Sequence, residues 1–272
     1  MRIVVLTGQS LPSNLITATL MREMPGRVVG MVLSAGPDAN VSKPVELWRR
    51  FRRRGLIAIV GASRGVEVRM LWRLRRSRPG STLPPDVREL AAAAGVPLVR
   101  TSDVNSADTR AAVQALAPDL LVSIYFPRRI RREIRAVAGH GAINVHPALL
   151  PKHRGPFPGF WLVAAGERRS AVTVHWIDDG LDTGDILLQH ELEVPAGASV
   201  ATVTGMVARP TAKALVEAVG LIEAGEAPRH PQDHSAASYE TWPEWSDLVG
   251  LWRRGGRYGS AFEMVRACEQ NE

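Results

Sequence analysis

Residues 119–146 read DLLVSIYFPRRIRREIRAVAGHGAINVH. The run at 119–124 is short and aliphatic, which suits a strand. Residues 128–138 suit a helix, and residues 141–145 suit a second strand that delivers Asn144 and His146 at its end. A strand, a helix and a strand of these lengths specify a parallel pair with the helix packed on the sheet.

Working outward, the same alternation precedes this unit. Strands are expected at 2–6, 27–33 and 97–99, and helices at 15–24, 86–94 and 106–117, the last with Ala and Leu recurring on one face. After residue 146 the grammar changes: strands are expected at 170–177 and 186–192, a helix over 198–223, and a Pro- and His-rich linker at 228–234. The expected fold is α/β, a mostly parallel twisted sheet with helices on both faces and a short C-terminal extension. A catalytic domain over 1–225 and an extension over 226–272 follow, with a basic excursion at 49–78. Ligands of such sheets bind beyond the carboxyl ends of the strands, where Asn144 and His146 fall.

Composition narrows the function classes. The chain has 272 residues, 45% of them apolar, enough for a substantial core. A single cysteine, Cys268, excludes an internal disulfide framework and a thiolate metal cluster. No stretch has the length and apolarity of a membrane span, and the first residues do not form a secretory leader; a cytoplasmic protein is expected. The net charge of +7 is concentrated, since residues 49–78 hold eleven arginines against Glu67 alone. Val68, Met70, Leu71 and Trp72 interleave with them, which suits a partly buried hairpin of helices with an Arg-rich face, a contact for an anionic acceptor or polyanion, or a membrane-surface helix.

The chemistry-bearing residues follow the 141–145 strand. Residues 144–185 read NVHPALLPKHRGPFPGFWLVAAGERRSAVTVHWIDDGLDTGD. Asn144 and His146, two apart on an extended segment, face one side. An amide can donate to an oxygen gaining negative charge, and an imidazole can exchange a proton near neutral pH. A carboxylate from the later loop can orient that imidazole. Asp178, Asp179, Asp182 and Asp185 all qualify, and spacing does not choose among them. Together these groups suit transfer of a small acyl group. The histidines lack the spacing of a zinc site, and no metal is expected. Ser13 or Asn14 is expected to cap the following helix, and a phosphate at that helix start is a further option. His175 reads as a structural strand histidine, and Arg128 to Arg135 mostly as a solvated helix face. Tyr239, Trp242 and Trp245 read chiefly as core aromatics.

The segment INVHPALLPKHRG, continued by AVTVHWIDDGLDTGDILLQ, resembles the signature of the folate-dependent formyltransferase family, whose branches act on methionyl-tRNA, glycinamide ribonucleotide and amino sugars. The likeness is close over about 120–192 and looser over the first 40 residues. It departs at Ala148, where the family commonly has Ser, and in the loop at 8–14, which is longer and poorer in glycine than its counterpart in the glycinamide ribonucleotide enzymes. The resemblance implies Asn144, His146 and Asp182 as the catalytic trio and 10-formyltetrahydrofolate as co-substrate. It implies Phe126, Arg128, Ile130, Asp178 and Asp182 around the folate. By position, His153 and Arg154 beside Gly155, and Ser13 and Asn14 at the first helix start, are the candidates for the acceptor side.

The expected activity is formyl transfer to a primary amine of a small molecule, an amino sugar or a natural-product amine. A shortened methionyl-tRNA formyltransferase, a 10-formyltetrahydrofolate hydrolase and a non-catalytic folate-binding or interaction module are the alternatives. A homodimer is compatible with the aromatic tail.

Overall fold

The computed structural model describes residues 1–35 and 56–270. Strand β1 (Ile3–Thr7) leads into helix α1 (Leu11–Glu23) and strand β2 (Val28–Ser34). Helices α2 (Leu56–Arg76) and α3 (Val87–Ala93) precede β3 (Leu98–Thr101), α4 (Ala107–Ala115) and β4 (Leu120–Ile124). A single turn, α5 (Arg132–Arg135), connects to β5 (Ala142–His146). Then come α6 (Pro158–Ala165), β6 (Arg169–Trp176), β7 (Ile186–Glu193), α7 (Val200–Met206) and α8 (Ala208–Ala224). The extension carries α9 (Trp245–Arg253) and α10 (Ala261–Gln270).

The strands form one seven-stranded sheet in the order β3-β2-β1-β4-β5-β6-β7. The neighbours from β3 to β5 are parallel, and β6 and β7 join antiparallel. This is the expected α/β architecture. Adjacent residues of β1 serve opposite faces, as the two-residue strand period requires: Ile3 and Val5 join one apolar cluster, Val4 and Leu6 the other.

Four local expectations change. Helix α1 begins at Leu11 because Ser10, rather than Ser13 or Asn14, is the cap; Ser10 Oγ accepts from Ser13 N, and Ser13 Oγ accepts from Ser10 N. Pro12 is tolerated in that first turn, where its missing N–H has no intrahelical partner to lose. The helix expected over 128–138 shrinks to α5, because Asn105 holds the preceding segment extended by donating to Arg129 O and accepting from Arg131 N. The helix expected over 198–223 breaks at Val207, where the ring of Pro210 opposes the carbonyl four residues earlier. Residues 56–76 of the basic excursion form one continuous helix, with Val68 and Trp72 buried and Val66, Met70 and Leu74 exposed. Its arginines at 49–54 lie outside the described residues. Among the described residues no helix is long and apolar enough to cross a membrane.

Buried Arg154 pins the extension to the sheet. Its Nε and Nη2 donate to Gln232 Oε1, Nη2 also to His234 Nδ1, and Nη1 to Tyr239 Oη. The backbone adds Arg154 N to Ser238 O and Glu240 N to Arg154 O.

Candidate active site

The parallel strands β4 and β5 run side by side, with Ser123 paired to Asn144, and both end at the same edge of the sheet. On the other side of β5 the antiparallel register sets Asn144 directly opposite His175. Such cross-strand partners share a face. The next inward position of β5 is His146. The turn after β6 returns the chain to this spot, and Asp182 sits there at φ 53°, in the left-handed region that Asp tolerates better than most residues.

These groups converge. Asn144 Nδ2 lies 3.1 Å from His175 Nε2 and 3.4 Å from Asp182 Oδ1. Asp182 Oδ2 accepts from Gly155 N at 2.8 Å and lies 3.7 Å from His146 Nδ1. His146 Nε2 lies 2.9 Å from His153 O. A carbonyl only accepts, so Nε2 carries the hydrogen and Nδ1 is the nitrogen that gains and loses a proton. The same reasoning fixes His175: its Nδ1 donates to Trp176 O at 2.9 Å, which leaves Nε2 to accept from Asn144. A flipped Asn144 would point its carbonyl oxygen at that lone pair and at the carboxylate, so the amide orientation is determined by its neighbours.

Burial pushes the His146 pKa below its ordinary value, against the opposing field of Asp182. Burial also opposes ionisation of Asp182. The field of His146 as it takes up its proton, the neighbouring His175 and the Gly155 N–H overcome it, and the carboxyl is held well below the usual carboxylate range. The resting pair is a neutral imidazole beside a carboxylate. The Nδ1 lone pair then faces negative charge beyond hydrogen-bond distance, and gaining a proton turns that repulsion into an ion pair. Nδ1 is therefore a poised acceptor for a proton.

The trio forms part of the wall of a cleft of about 1100 Å³. Phe126, Arg128, Ile130 and Asp178 line it, as does Leu181, which is 51% exposed. An apolar slot with Arg128 and Arg129 beside it fits a flat ring system with an anionic tail. The carboxylate of Asp178 is itself occupied, accepting from Gly180 N and Thr183 Oγ1 to shape the loop. Arg135 is no solvated arginine. It donates to Ile130 O and Asp178 O and pairs with Asp179, tying the two loops of the slot together.

The acceptor-side residues Ser13, Asn14, His153 and Arg154 do not reach the cleft. Ser13 and Asn14 are buried in the first turn of α1, where Ser13 completes the cap. The His153 ring turns away, 3.2 Å from Glu167 Oε1, and contributes only its carbonyl to His146. Arg154 spends its donors on the extension. Tyr239, Trp242 and Trp245 are 58, 45 and 39% exposed and are not core residues; Trp242 lines the cleft. His175, expected to be structural, stands within the site. Only the antiparallel register of β6 against β5 reveals it, and no local pattern in the sequence carries that register. The Cys268 thiol is buried and its pKa pushed up to about 12, which suits no nucleophile. Among the described residues no group of His, Cys, Asp and Glu is placed to hold a metal.

A family model described as formyl transferase matches residues 76–219. The chain belongs to that family. It is 40% identical over 173 residues to the methionyl-tRNA formyltransferase of Anaeromyxobacter dehalogenans, a match covering 64% of this chain and 55% of that protein. The chain thus spans about half the length of the curated relatives it matches. Among solved structures it is similar to the N-formyltransferase of Helicobacter canadensis in complex with folinic acid and dTDP-3-aminofucose, with a TM-score of 0.58 at 14% identity over 89% of this chain and 71% of that one. It is also similar to glycinamide ribonucleotide transformylase 1 of Symbiobacterium toebii, with a TM-score of 0.57 at 19% identity over 85% of this chain and 93% of that one. At these identities the solved structures bear on the fold alone.

Proposed function

We propose that this protein transfers a formyl group from 10-formyltetrahydrofolate to a primary amine of a small molecule. The observation that carries the reading is the meeting of Asn144, His146 and Asp182 at the ends of β5 and the 178–182 loop, inside a cleft large enough for two substrates. The donor supplies the formyl carbon, and Phe126, Ile130 and Leu181 with Arg128 and Arg129 hold it. The amine nitrogen forms the new C–N bond, the donor's C–N bond breaks, and the amine's proton passes to the leaving nitrogen.

His146 Nδ1 takes that proton and returns it, with the ring fixed through Nε2 by the His153 carbonyl. Asp182 favours the proton's arrival. Asn144 offers the formyl oxygen an N–H as negative charge grows there. Of its two present contacts, the longer one to Asp182 is the one to give up, while His175 keeps the amide in place. A cytoplasmic setting suits this co-substrate, and the aromatic tail remains available to a second copy of the chain.

Incubation with 10-formyltetrahydrofolate and a panel of primary amines tests the reading. Release of tetrahydrofolate that depends on the amine is expected. Formate release that ignores the amine would make the protein a hydrolase, and folate binding without turnover would make it a binding module. A second reading, with methionyl-tRNA as acceptor, is favoured by the curated relatives. It requires tRNA binding that weakens steeply with salt, measurable by filter binding.

A further inference from the structure

The cleft continues past the reaction centre, and that part has a different chemistry. Gly155, whose N–H holds Asp182, leads within a few residues to Phe157, Pro158 and Gly159, which also line the cleft. Gly159 lies against Val203 and Thr204 of α7, and Gly205 lies so close to α10 that a Cβ there would sit 2.5 Å from Met264 O. The chain therefore runs unbroken from the reacting groups to a wall made by α7 and α10. Val200, Val203, Val207 and Ala261, each at most 3% exposed, back this space, and Met264 borders it. At its rim Phe157 lies tilted against Trp242 and edge-on to Tyr258, the ring centroids 6.1 and 6.3 Å apart.

What this half lacks among the described residues is as informative. Of the described residues that line the cleft, the arginines and carboxylates are Arg69, Arg128, Arg129, Asp178 and Asp182, and none of them belongs to α7, α10 or the Phe157–Trp242–Tyr258 rim. The start of α1 borders it through Gln9, Ser10, Leu11 and Pro12, and several of its N–H groups are already used. Pro12 has no N–H, Ser13 N is used by Ser10 Oγ, and Asn14 N by Ser10 O.

We infer that the acceptor is a primary amine carried on an aliphatic or aryl body rather than on a phosphorylated sugar, with that body seated between α7, α10 and the Phe157–Trp242–Tyr258 rim. The inference rests on the formyl-transfer reading and names its acceptor. The wall also assists the reaction itself. Desolvation disfavours an ammonium ion, so an amine held here loses its proton more readily and presents the lone pair that forms the C–N bond.

The experiment measures kcat/KM at fixed 10-formyltetrahydrofolate for hexylamine, 2-phenylethylamine, a dTDP-linked amino sugar and methionyl-tRNA. Apolar surface buried at the wall makes about tenfold or more in favour of the first two the expected result. The Trp242→Ala and Met264→Glu variants are expected to raise KM for 2-phenylethylamine by about tenfold. Thr204→Val, which keeps the shape and removes a hydroxyl, is expected to lower it. Calorimetric binding of 5-formyltetrahydrofolate is measured on each variant, and an unchanged Kd shows that the fold survives. Preference for the sugar nucleotide or for the tRNA overturns this inference and leaves formyl transfer standing. No transfer to any acceptor, with no folate binding, overturns both.

Discussion

The two ends of the cleft present different linings. At the reaction centre, Asn144, His146, His175 and Asp182 fix one another by directional contacts, and backbone groups of Gly155, His153 and Trp176 fix them in turn. Each side chain has few alternatives, because a buried polar group without its partner costs more than the partner contributes. The wall of α7 and α10 faces the cleft with Val, Ala and Met side chains, where a swap of similar volume costs little, while behind it Glu263 ties the two helices by accepting from Ser199 Oγ and Thr202 Oγ1. The first half can serve one chemistry, while the second can be reshaped to suit a new acceptor. The difference predicts that substitutions in the centre act on rate and those in the wall on acceptor choice.

The sharpest break of that contrast is at the centre. His146→Ala is expected to lower kcat by about 10²–10⁴-fold, the usual worth of general acid–base help. Asp182→Asn should cost a comparable factor, because the carboxylate is what makes a proton welcome on Nδ1. Steady-state kinetics with any productive amine checks both, and a rate within twofold of the parent would remove the residue from its role.

Gly155 tests how far the backbone takes part. Its φ is 103°, and a Cβ would lie 2.2 Å from Glu240 O, inside the strands of contact that pin the extension. Gly155→Ala is expected to destabilise the fold by about 3 kcal/mol, since strain and overlap act together. Urea denaturation measures it. A loss under about 1 kcal/mol would mean that the extension yields readily, and that Asp182 is held by its side-chain neighbours alone.

His175 is a positioning residue. On the formyl-transfer reading it touches no reacting atom and acts through Asn144 and Asp182. His175→Phe keeps the ring and removes both of its hydrogen bonds, so kcat should fall about five- to tenfold, the worth of roughly 1 kcal/mol, with donor KM unchanged. Equal losses in kcat and in donor affinity would point to collapse of the site instead.

How much of this was readable beforehand follows from which forces are local. Strand β5 and its delivery of Asn144 and His146 lie in a short aliphatic run with a clear end, and the mostly parallel sheet follows from strand–helix alternation. Choosing Asp182 from four candidate carboxylates took the family resemblance, because a loop's fold depends on Gly180, Gly184 and the Asp178 turn contacts together. His175 depends on a register between β5 and β6 that a strand's own residues do not encode. Ser13, Asn14 and Arg154 mislead for another reason: a serine can cap its own helix or reach a ligand, and an arginine can anchor a chain segment or an anion. The residue type is the same in both cases, and only the tertiary partners decide. The exposed Trp242 shows the same ambiguity for an aromatic, which can fill a core or line a cleft.

The finest test separates burial from charge at His146. Burial lowers its pKa and the Asp182 field raises it, with burial the larger influence. The proposed proton transfer needs the neutral ring, so kcat/KM should rise with pH and level off below the ordinary histidine value of about 6.5. In Asp182→Asn the raising influence goes and the lowering one stays, so the limb of the residual activity should move further toward acid. The same groups govern stability. Both folded pKa values lie below their unfolded ones, so the unfolded chain binds more protons as pH falls. The His146 contribution is complete above about pH 6.5 and is lost as pH falls toward its folded pKa; that of Asp182 is lost at still lower pH. Melting temperature measured from pH 8 downward should therefore decline first through the histidine window, and His146→Gln should flatten that part of the curve. A limb moving toward alkali in Asp182→Asn would mean that the carboxylate does not face Nδ1 in the working enzyme, and the contrast between a cross-linked centre and a packed wall would lose its central pair.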